Sequence, residues 1–183
     1  MKVSIVTVVY NAESTIESCI KNVVSQTYKD IEYIIIDGKS TDKTLDIISN
    51  HKDNISKLIS EKDNGIYDAM NKGINNATGD IVGFINSDDY FASDDVVASI
   101  VEVFKNNDVD CCYGDVIYFD EYDNNKLKRY WKTKKNNKNL FNDGTFPPHP
   151  SFYVKRECYE RYGLYKVDFK IASDFELMLR FIK

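Results

Sequence analysis

The chain has 183 residues, 43% hydrophobic and 29% charged, the balance of a globular protein with material for one sizeable core. Its formal net charge of -5 argues against a general nucleic-acid binder, which would carry a basic excess. The longest apolar runs, near Val3 to Tyr10 and Tyr33 to Ile36, are far too short to span a bilayer. Cys19, Cys111, Cys112 and Cys158 show no C-x-x-C spacing. With no signal peptide, they read as reduced thiols in a cytoplasmic protein.

Lys2 to Tyr10 (KVSIVTVVY) is β-branched and predicts a first strand. Asn11 is a candidate cap for a helix whose apolar positions Ile16, Cys19, Ile20, Val23 and Val24 recur at helical spacing. Ile31 to Ile36 predicts a second strand, ending in the polar turn Asp37-Gly38-Lys39-Ser40-Thr41-Asp42, with a helix bearing Leu45 and Ile48 behind it. Ile55 to Ser60 reads as a weaker third strand. The clearest helix runs from Ile66 to Ala77, with Ile66, Ala69, Met70, Gly73, Ile74 and Ala77 on one side. Ile81 to Ile85 is a short apolar run bounded by turns, the form of a buried strand, and it ends at Asn86-Ser87-Asp88-Asp89.

Strands alternating with helices in this way predict an α/β fold with a doubly wound, mostly parallel sheet. Right-handed crossovers bring the carboxyl ends of the strands to one edge, where such sheets bind ligands. That edge gathers Thr7, Tyr10, Asn11 and Glu13 from the first strand, and Asp37, Ser40 and Asp42 from the second. Glu61, Asp63 and Asn64 follow the third, and Asp88 with Asp89 the fourth. Asp88-Asp89 reads either as a solvated acidic turn or as a site for Mg2+ or Mn2+ that bridges to substrate phosphates. So acidic an edge fits a nucleoside diphosphate carried with its metal better than a bare phosphate. No G-x-G-x-x-G follows the first strand and no G-x-x-x-x-G-K-[ST] occurs, which removes the main support for dinucleotide and P-loop readings.

Beyond this turn, Asp95 to Lys105 predicts a helix with Val96, Val97, Ile100, Val101 and Phe104 inward. Asp110 to Phe119 predicts a strand, with Lys128 to Lys132 as its partner across the turn Asp120 to Asn125. The Lys- and Asn-rich stretch from Lys132 to Gly144 reads as a solvated loop or as a flap that orders over bound ligands. Ser151 to Val154 predicts a strand and Arg156 to Tyr162 a short helix stopped at Gly163. Ser173-Asp174-Phe175-Glu176 opens a last helix with capping-box spacing, and Leu177, Met178, Phe181 and Ile182 form its apolar face. An acid at Asp174 complements the helix dipole without further explanation.

SIVTVVYNAESTIESCIKNVVSQTYKDIEYIIIDGKSTDKT and SEKDNGIYDAMNKGINNATGDIVGFINSDD resemble the first half and the donor-site core of the family 2 glycosyltransferases, and the resemblance covers nearly the whole chain. It implies an A-type nucleotide-sugar fold over residues 1–183, with a donor half at 1–105 and an acceptor-side half at 106–183. It also implies inverting transfer of a hexosyl or N-acetylhexosaminyl group from a nucleotide-diphosphate sugar. Under the resemblance, Thr7 and Tyr10 line the base pocket and Asp37 contacts the nucleobase. Asp88 holds the ribose and Asp89 the metal. Asp63, Asn64 and Asp68 take donor-side roles, and Lys72 either joins them or is structural. His149 matches a histidine near the diphosphate, although it is equally readable as a loop histidine. Asp174 aligns with the general base, usually part of an acid pair; here its neighbour is Ser173. After the second strand, where many members carry two acids, the second position is Gly38.

The segment DNGIYDAMNKG resembles enzymes of bacterial surface-polysaccharide assembly. This implies a saccharide or lipid-linked acceptor and an enzyme that is cytoplasmic, with peripheral contact at the inner membrane face. Family members typically continue past this end, so the expectation is a truncated or short form. Two further classes remain: a nucleotide-sugar-binding module without turnover, and a sugar nucleotidyltransferase. The latter would need a glycine-rich basic loop where Asn11-Ala12-Glu13 stands.

Overall fold

A computed structural model describes residues 1–120, 126–134, 141 and 145–182. Most of the turn expected at Asp120 to Asn125, and most of the loop expected from Lys132 to Gly144, lie outside these residues.

Four parallel strands form the heart of the molecule: β1 (Val3–Val9), β2 (Ile31–Asp37), β3 (Lys57–Ser60) and β4 (Ile81–Phe84). β8 (Tyr153–Lys155) adds antiparallel to β4, and β5 (Cys111–Cys112) antiparallel to β8, giving the order β3-β2-β1-β4-β8-β5. The sheet is therefore mixed at one side. Its helices are α1 (Ile16–Val24), α2 (Thr44–Asn50), α3 (Ile66–Asn76), α4 (Val96–Asn106), α5 (Arg156–Tyr162) and α6 (Ser173–Ile182). The predicted Asp110 to Phe119 strand is split: β5 joins the main sheet, while β6 (Val116–Phe119) pairs with β7 (Leu127–Trp131) as a separate antiparallel ribbon. The expected strand Ser151 to Val154 begins later, because His149–Ser151 forms a 3-10 turn.

The continuous apolar runs exist because both sheet faces are covered. Alternation along each strand sends Val6, Val8, Ile34, Ile36, Val82 and Phe84 toward α3 and α6, where Met70, Ile74, Leu177 and Met178 meet them. The other set, including Val3, Ile5, Val9, Tyr33 and Ile35, packs on Ile16, Ile20, Ile48, Val97 and Val101. Each fully buried Ile or Leu contributes about 1.5–3 kcal/mol. Gly73 earns its place in α3, since a Cβ there would collide with the Val6 side chain. Two apolar positions depart from the helical pattern: Val24 is exposed at the end of α1, and Ile66 is exposed in the first turn of α3.

Two capping expectations fail. Asn11 does not cap α1; it sits at φ 49°, and Thr15 precedes the helix instead. Ser173 is already helical, and its buried hydroxyl has no hydrogen-bond partner. The Glu176 carboxylate, which a capping box would turn back on the helix start, is held by Lys166 and Arg180.

Candidate active site

Strand order places β2 on one side of β1 and β4 on the other, so the chain reverses its progress across the sheet between β1 and β4. The crevice beyond the carboxyl ends of strands at such a point is the usual ligand site. Register brings Val9, Asp37 and Ser60 side by side at these ends, while β4 stops opposite Val6 and runs into residues 85–89.

The first two loops of this edge are stitched to each other. The Asn11 backbone N–H donates to Ser40 Oγ (2.9 Å), and the Thr41 N–H to Asn11 Oδ1 (2.8 Å). Glu13 N–H donates to Asp42 Oδ2, and Lys43 N–H to Glu13 Oε2. Asn11, Glu13 and Ser40 thus reach the expected edge, but their polar atoms shape its walls. Asp37 is fully buried, and its two oxygens accept from the backbone N–H groups of Lys39 and Ser40 and the hydroxyls of Ser40 and Ser60. Thr7 is not at the edge. Strand alternation turns it under α1, fully buried, with its hydroxyl 3.1 Å from the Tyr33 hydroxyl and near Cys19 Sγ. Tyr10 does stand at the mouth, 62% exposed.

On the third loop, Asp63 Oδ1 accepts from Gly65 N–H (2.9 Å) and Asp68 Oδ2 from Asn64 N–H (2.9 Å), which fixes the turn before α3. Lys72 Nζ is drawn to Glu61 (2.9 Å), to the Lys62 carbonyl (2.9 Å) and, more distantly, to Asp68. The hydrogen bond to Glu61 raises its pKa above the usual lysine value. Lys72 is thus a pin between the loop and the helix. Asn71 is structural as well, since its amide exchanges two hydrogen bonds with the backbone of Tyr165.

At the fourth loop, Asp88 is exposed and Asp89 half-buried, with Asp89 Oδ2 accepting from the Asn86 amide (2.7 Å). Burial raises the Asp89 pKa and the Asp88 carboxylate adds to it, against the Asn86 bond. Among the described residues no cluster of three or more His, Cys, Asp or Glu side chains could enclose a metal. Two adjacent carboxylates do fit a hard ion that keeps waters and completes its shell with substrate phosphates.

The remaining acid, Asp174, comes from the opposite end of the sequence. Its Oδ1 accepts from the Tyr67 hydroxyl of α3 (3.1 Å). Tyr67 stacks on Tyr165, whose hydroxyl lies 2.7 Å from His149 Nε2, and the His149 ring stacks on Phe84 at the end of β4. Burial lowers the His149 pKa while the Asp174 charge works in the other direction. An aromatic chain therefore runs from the metal-type turn to Asp174. Tyr67 and Tyr165 were missed in the sequence, where a tyrosine in a helix and another in a loop carry no pattern.

Beside Asp174, Phe175 meets Phe146, and Phe146 meets Trp131 of β7. There a cavity of about 280 Å³ is lined by Tyr113, Arg129, Trp131, Lys132 and Thr133. Its aromatic and cationic walls contrast with the acidic edge of the sheet. The four cysteines are free, and burial pushes each thiol up, to about 11 for Cys19 and Cys158 and about 12 for Cys111 and Cys112. No helix among the described residues is long and apolar enough to cross a membrane.

Strand order and edge define a nucleotide-sugar type of α/β fold, and the fold is shared with solved enzymes. Staphylococcus aureus TarS, solved as residues 1–349 in complex with UDP-GlcNAc, superposes with a TM-score of 0.79 at 17% identity, over 100% of this chain and 53% of that one. The mannosyltransferase PcManGT from Pyrobaculum calidifontis, in complex with GDP-Man and Mn2+, gives 0.71 at 20% identity, over 94% of this chain and 50% of that one. The description of glycosyl transferase family 2 matches residues 4–163, and the chain belongs to that family. An uncharacterized glycosyltransferase of Mycobacterium tuberculosis is 31% identical over 194 aligned residues, covering 97% of this chain and 68% of the relative. A PGL/p-HBAD biosynthesis glycosyltransferase of Mycobacterium bovis is 27% identical over 181 residues with the same coverage. The chain thus spans about two thirds of these curated relatives and about half of the solved chains.

Proposed function

We propose that this chain forms the catalytic unit of an inverting glycosyltransferase that moves a hexosyl or N-acetylhexosaminyl group from a nucleoside-diphosphate sugar to an acceptor hydroxyl. The observation that carries this reading is the pairing of the Asp88-Asp89 turn at the switch point with Asp174, held by Tyr67 and linked to that turn through Tyr165, His149 and Phe84. Family membership, the UDP-GlcNAc bound to TarS and the GDP-Man and Mn2+ bound to the mannosyltransferase support the same donor class.

Asp174 is the general base. Its Oδ2 accepts the proton of the acceptor hydroxyl while Tyr67 fixes Oδ1. The acceptor oxygen then attacks the anomeric carbon from the face opposite the diphosphate, the old C–O bond breaks toward the phosphate, and configuration inverts. Asp89, with Asp88 beside it, is the pair suited to a bound Mg2+ or Mn2+, which would offset charge on the leaving diphosphate. Tyr10, Asp63 and the stitched loops of Asn11, Glu13 and Ser40 receive the nucleoside. His149, kept uncharged by burial, buttresses the Tyr165–Tyr67 stack.

The cavity of Tyr113, Arg129, Trp131 and Lys132 is the acceptor side. Its aromatic faces suit a sugar ring and its cations an anionic group such as the phosphate of a lipid-linked saccharide. The PGL/p-HBAD biosynthesis relative supports a role in surface-glycan assembly. With a lipid-linked acceptor, the enzyme would work from the cytoplasm at the inner membrane face.

Calorimetric titration of UDP, GDP and dTDP with and without Mn2+, followed by an assay for nucleotide release from the matching sugar donor, tests this reading. Metal-dependent binding with release that disappears in Asp174→Asn is the expected result. Binding without release leaves a nucleotide-sugar-binding module, and no binding by the folded protein rejects the donor site.

A further inference from the structure

Position 38 carries no side chain, and the space beside it is taken from elsewhere. A Cβ built on Gly38 would lie 2.5 Å from Asp63 Oδ2 and 3.4 Å from the edge of the Tyr10 ring. The Asp63 carboxylate, arriving from the loop after β3, thus stands where a side chain of β2's own loop would point. Its Oδ1 is engaged by Gly65 N–H, whereas Oδ2 is turned toward Gly38 and Tyr10. Asp63 is half-buried and Tyr10 is 62% exposed, so an exposed aromatic ring and a carboxylate oxygen open together at the mouth of β1 and β2.

Asp37, the acid expected from the sequence to meet the nucleobase, cannot offer the same. It is fully buried, and four donors from Lys39, Ser40 and Ser60 already occupy its two oxygens. Bringing a base to it would mean breaking the loop that it organises. An aromatic face beside an accessible hydrogen-bond acceptor is the pair of features by which proteins hold a flat heterocycle, one stacking and the other reading its edge.

We propose that Asp63, in the space left by Gly38 and beside the stacking face of Tyr10, is the residue that reads the donor nucleobase. This rests on the donor-site reading above and deepens it. A carboxylate oxygen accepts and does not donate, so it selects bases whose ring edge presents an N–H: the imide of uracil or thymine, or N1–H of guanine. Cytosine presents a lone pair at the corresponding ring nitrogen and is disfavoured by the same oxygen.

The experiment compares calorimetric affinities of UDP, dTDP, GDP and CDP, with Mn2+, for the wild-type protein, Asp63→Asn and Gly38→Ala. Asp63→Asn keeps an oxygen for Gly65 N–H and places an amino donor where Oδ2 stood. Wild type is expected to prefer its best N–H-bearing nucleotide over CDP by at least about tenfold. Asp63→Asn is expected to lose about tenfold for that nucleotide while CDP holds or gains. Gly38→Ala, by pushing the carboxylate aside, weakens the same preference without changing Asp63. A merely structural aspartate would not invert a base preference. Unchanged affinities in Asp63→Asn, or an equal loss for all four nucleotides, overturn this assignment and leave the donor site standing. Failure of the folded wild-type protein to bind any of the four overturns both.

Discussion

The Tyr67 hydroxyl donates to Asp174 Oδ1 at 3.1 Å, joining the first turn of α3 to the first turn of α6 across 107 residues. This bond aims the proposed base. Tyr67→Phe removes the donor but keeps the ring that stacks on Tyr165. It is expected to lower kcat about tenfold with the donor KM little changed, since a hydrogen bond to a charged group is worth about 1.5–3 kcal/mol. Steady-state kinetics on the matched donor and acceptor separate the two parameters.

Asp89→Asn keeps the side-chain shape beside Asn86 while removing a charge from the Asp88-Asp89 pair. Nucleotide affinity is expected to fall by about tenfold or more in the presence of Mn2+ and to change little in its absence. Titrations of UDP in both conditions measure the difference, and equal losses in both would reject Asp89 as the metal ligand.

Glu32 supports the sheet from its amino end. Its carboxylate accepts from Lys2 Nζ (2.8 Å), from Ser4 Oγ (2.5 Å), and from the Thr78 N–H (2.7 Å) and hydroxyl (2.6 Å). Burial alone would raise its pKa, but the hydrogen bonds from Lys2, Ser4 and Thr78 outweigh it and hold the group at about 2. A depressed carboxylate contributes stability above its unfolded value, near 4.5, and loses it as pH falls toward 2. Glu32→Gln is expected to lower stability at pH 7 by about 2–3 kcal/mol, or about 5–10 °C in Tm. The gap between variant and wild type should close on acidification through that window, which thermal melts at stepped pH would read.

Arg129 lies over the Trp131 ring at 4.7 Å from its centroid in the cavity beside Phe146. Arg129→Ala is expected to raise the acceptor KM about tenfold for an acceptor bearing a phosphate and to leave nucleotide affinity unchanged. A comparison of phosphorylated and neutral acceptors tells a charge contact from a general loss of packing.

Much of this protein is legible along the chain because its rules are local. The runs Val3–Val9, Ile31–Asp37 and Ile81–Phe84 are mostly apolar because helices cover both faces, and that burial is written into composition. Strand ends carry polar turns, so the acidic edge of Asp63, Asp88 and Asp89 could be read before any coordinates. Helix ends were less legible. Asn11 and the Ser173–Glu176 pair have capping chemistry, but Ser40 and Thr41 engage one, and Lys166 and Arg180 the other, from outside their own helix starts.

The sequence by itself therefore determined the alternating α/β framework, the two buried faces and the chemical character of the edge, since each depends on neighbours a few residues apart. The tertiary structure decided which side chains remain free to act there. It turned Thr7 inward by strand parity and filled Asp37 with four donors. It set Asp63 into the gap at Gly38 and brought Tyr67 to Asp174. The Thr7–Tyr33, Gly38–Asp63 and Tyr67–Asp174 contacts join residues 25 to 107 positions apart, where position in the fold and not residue type selects the partner.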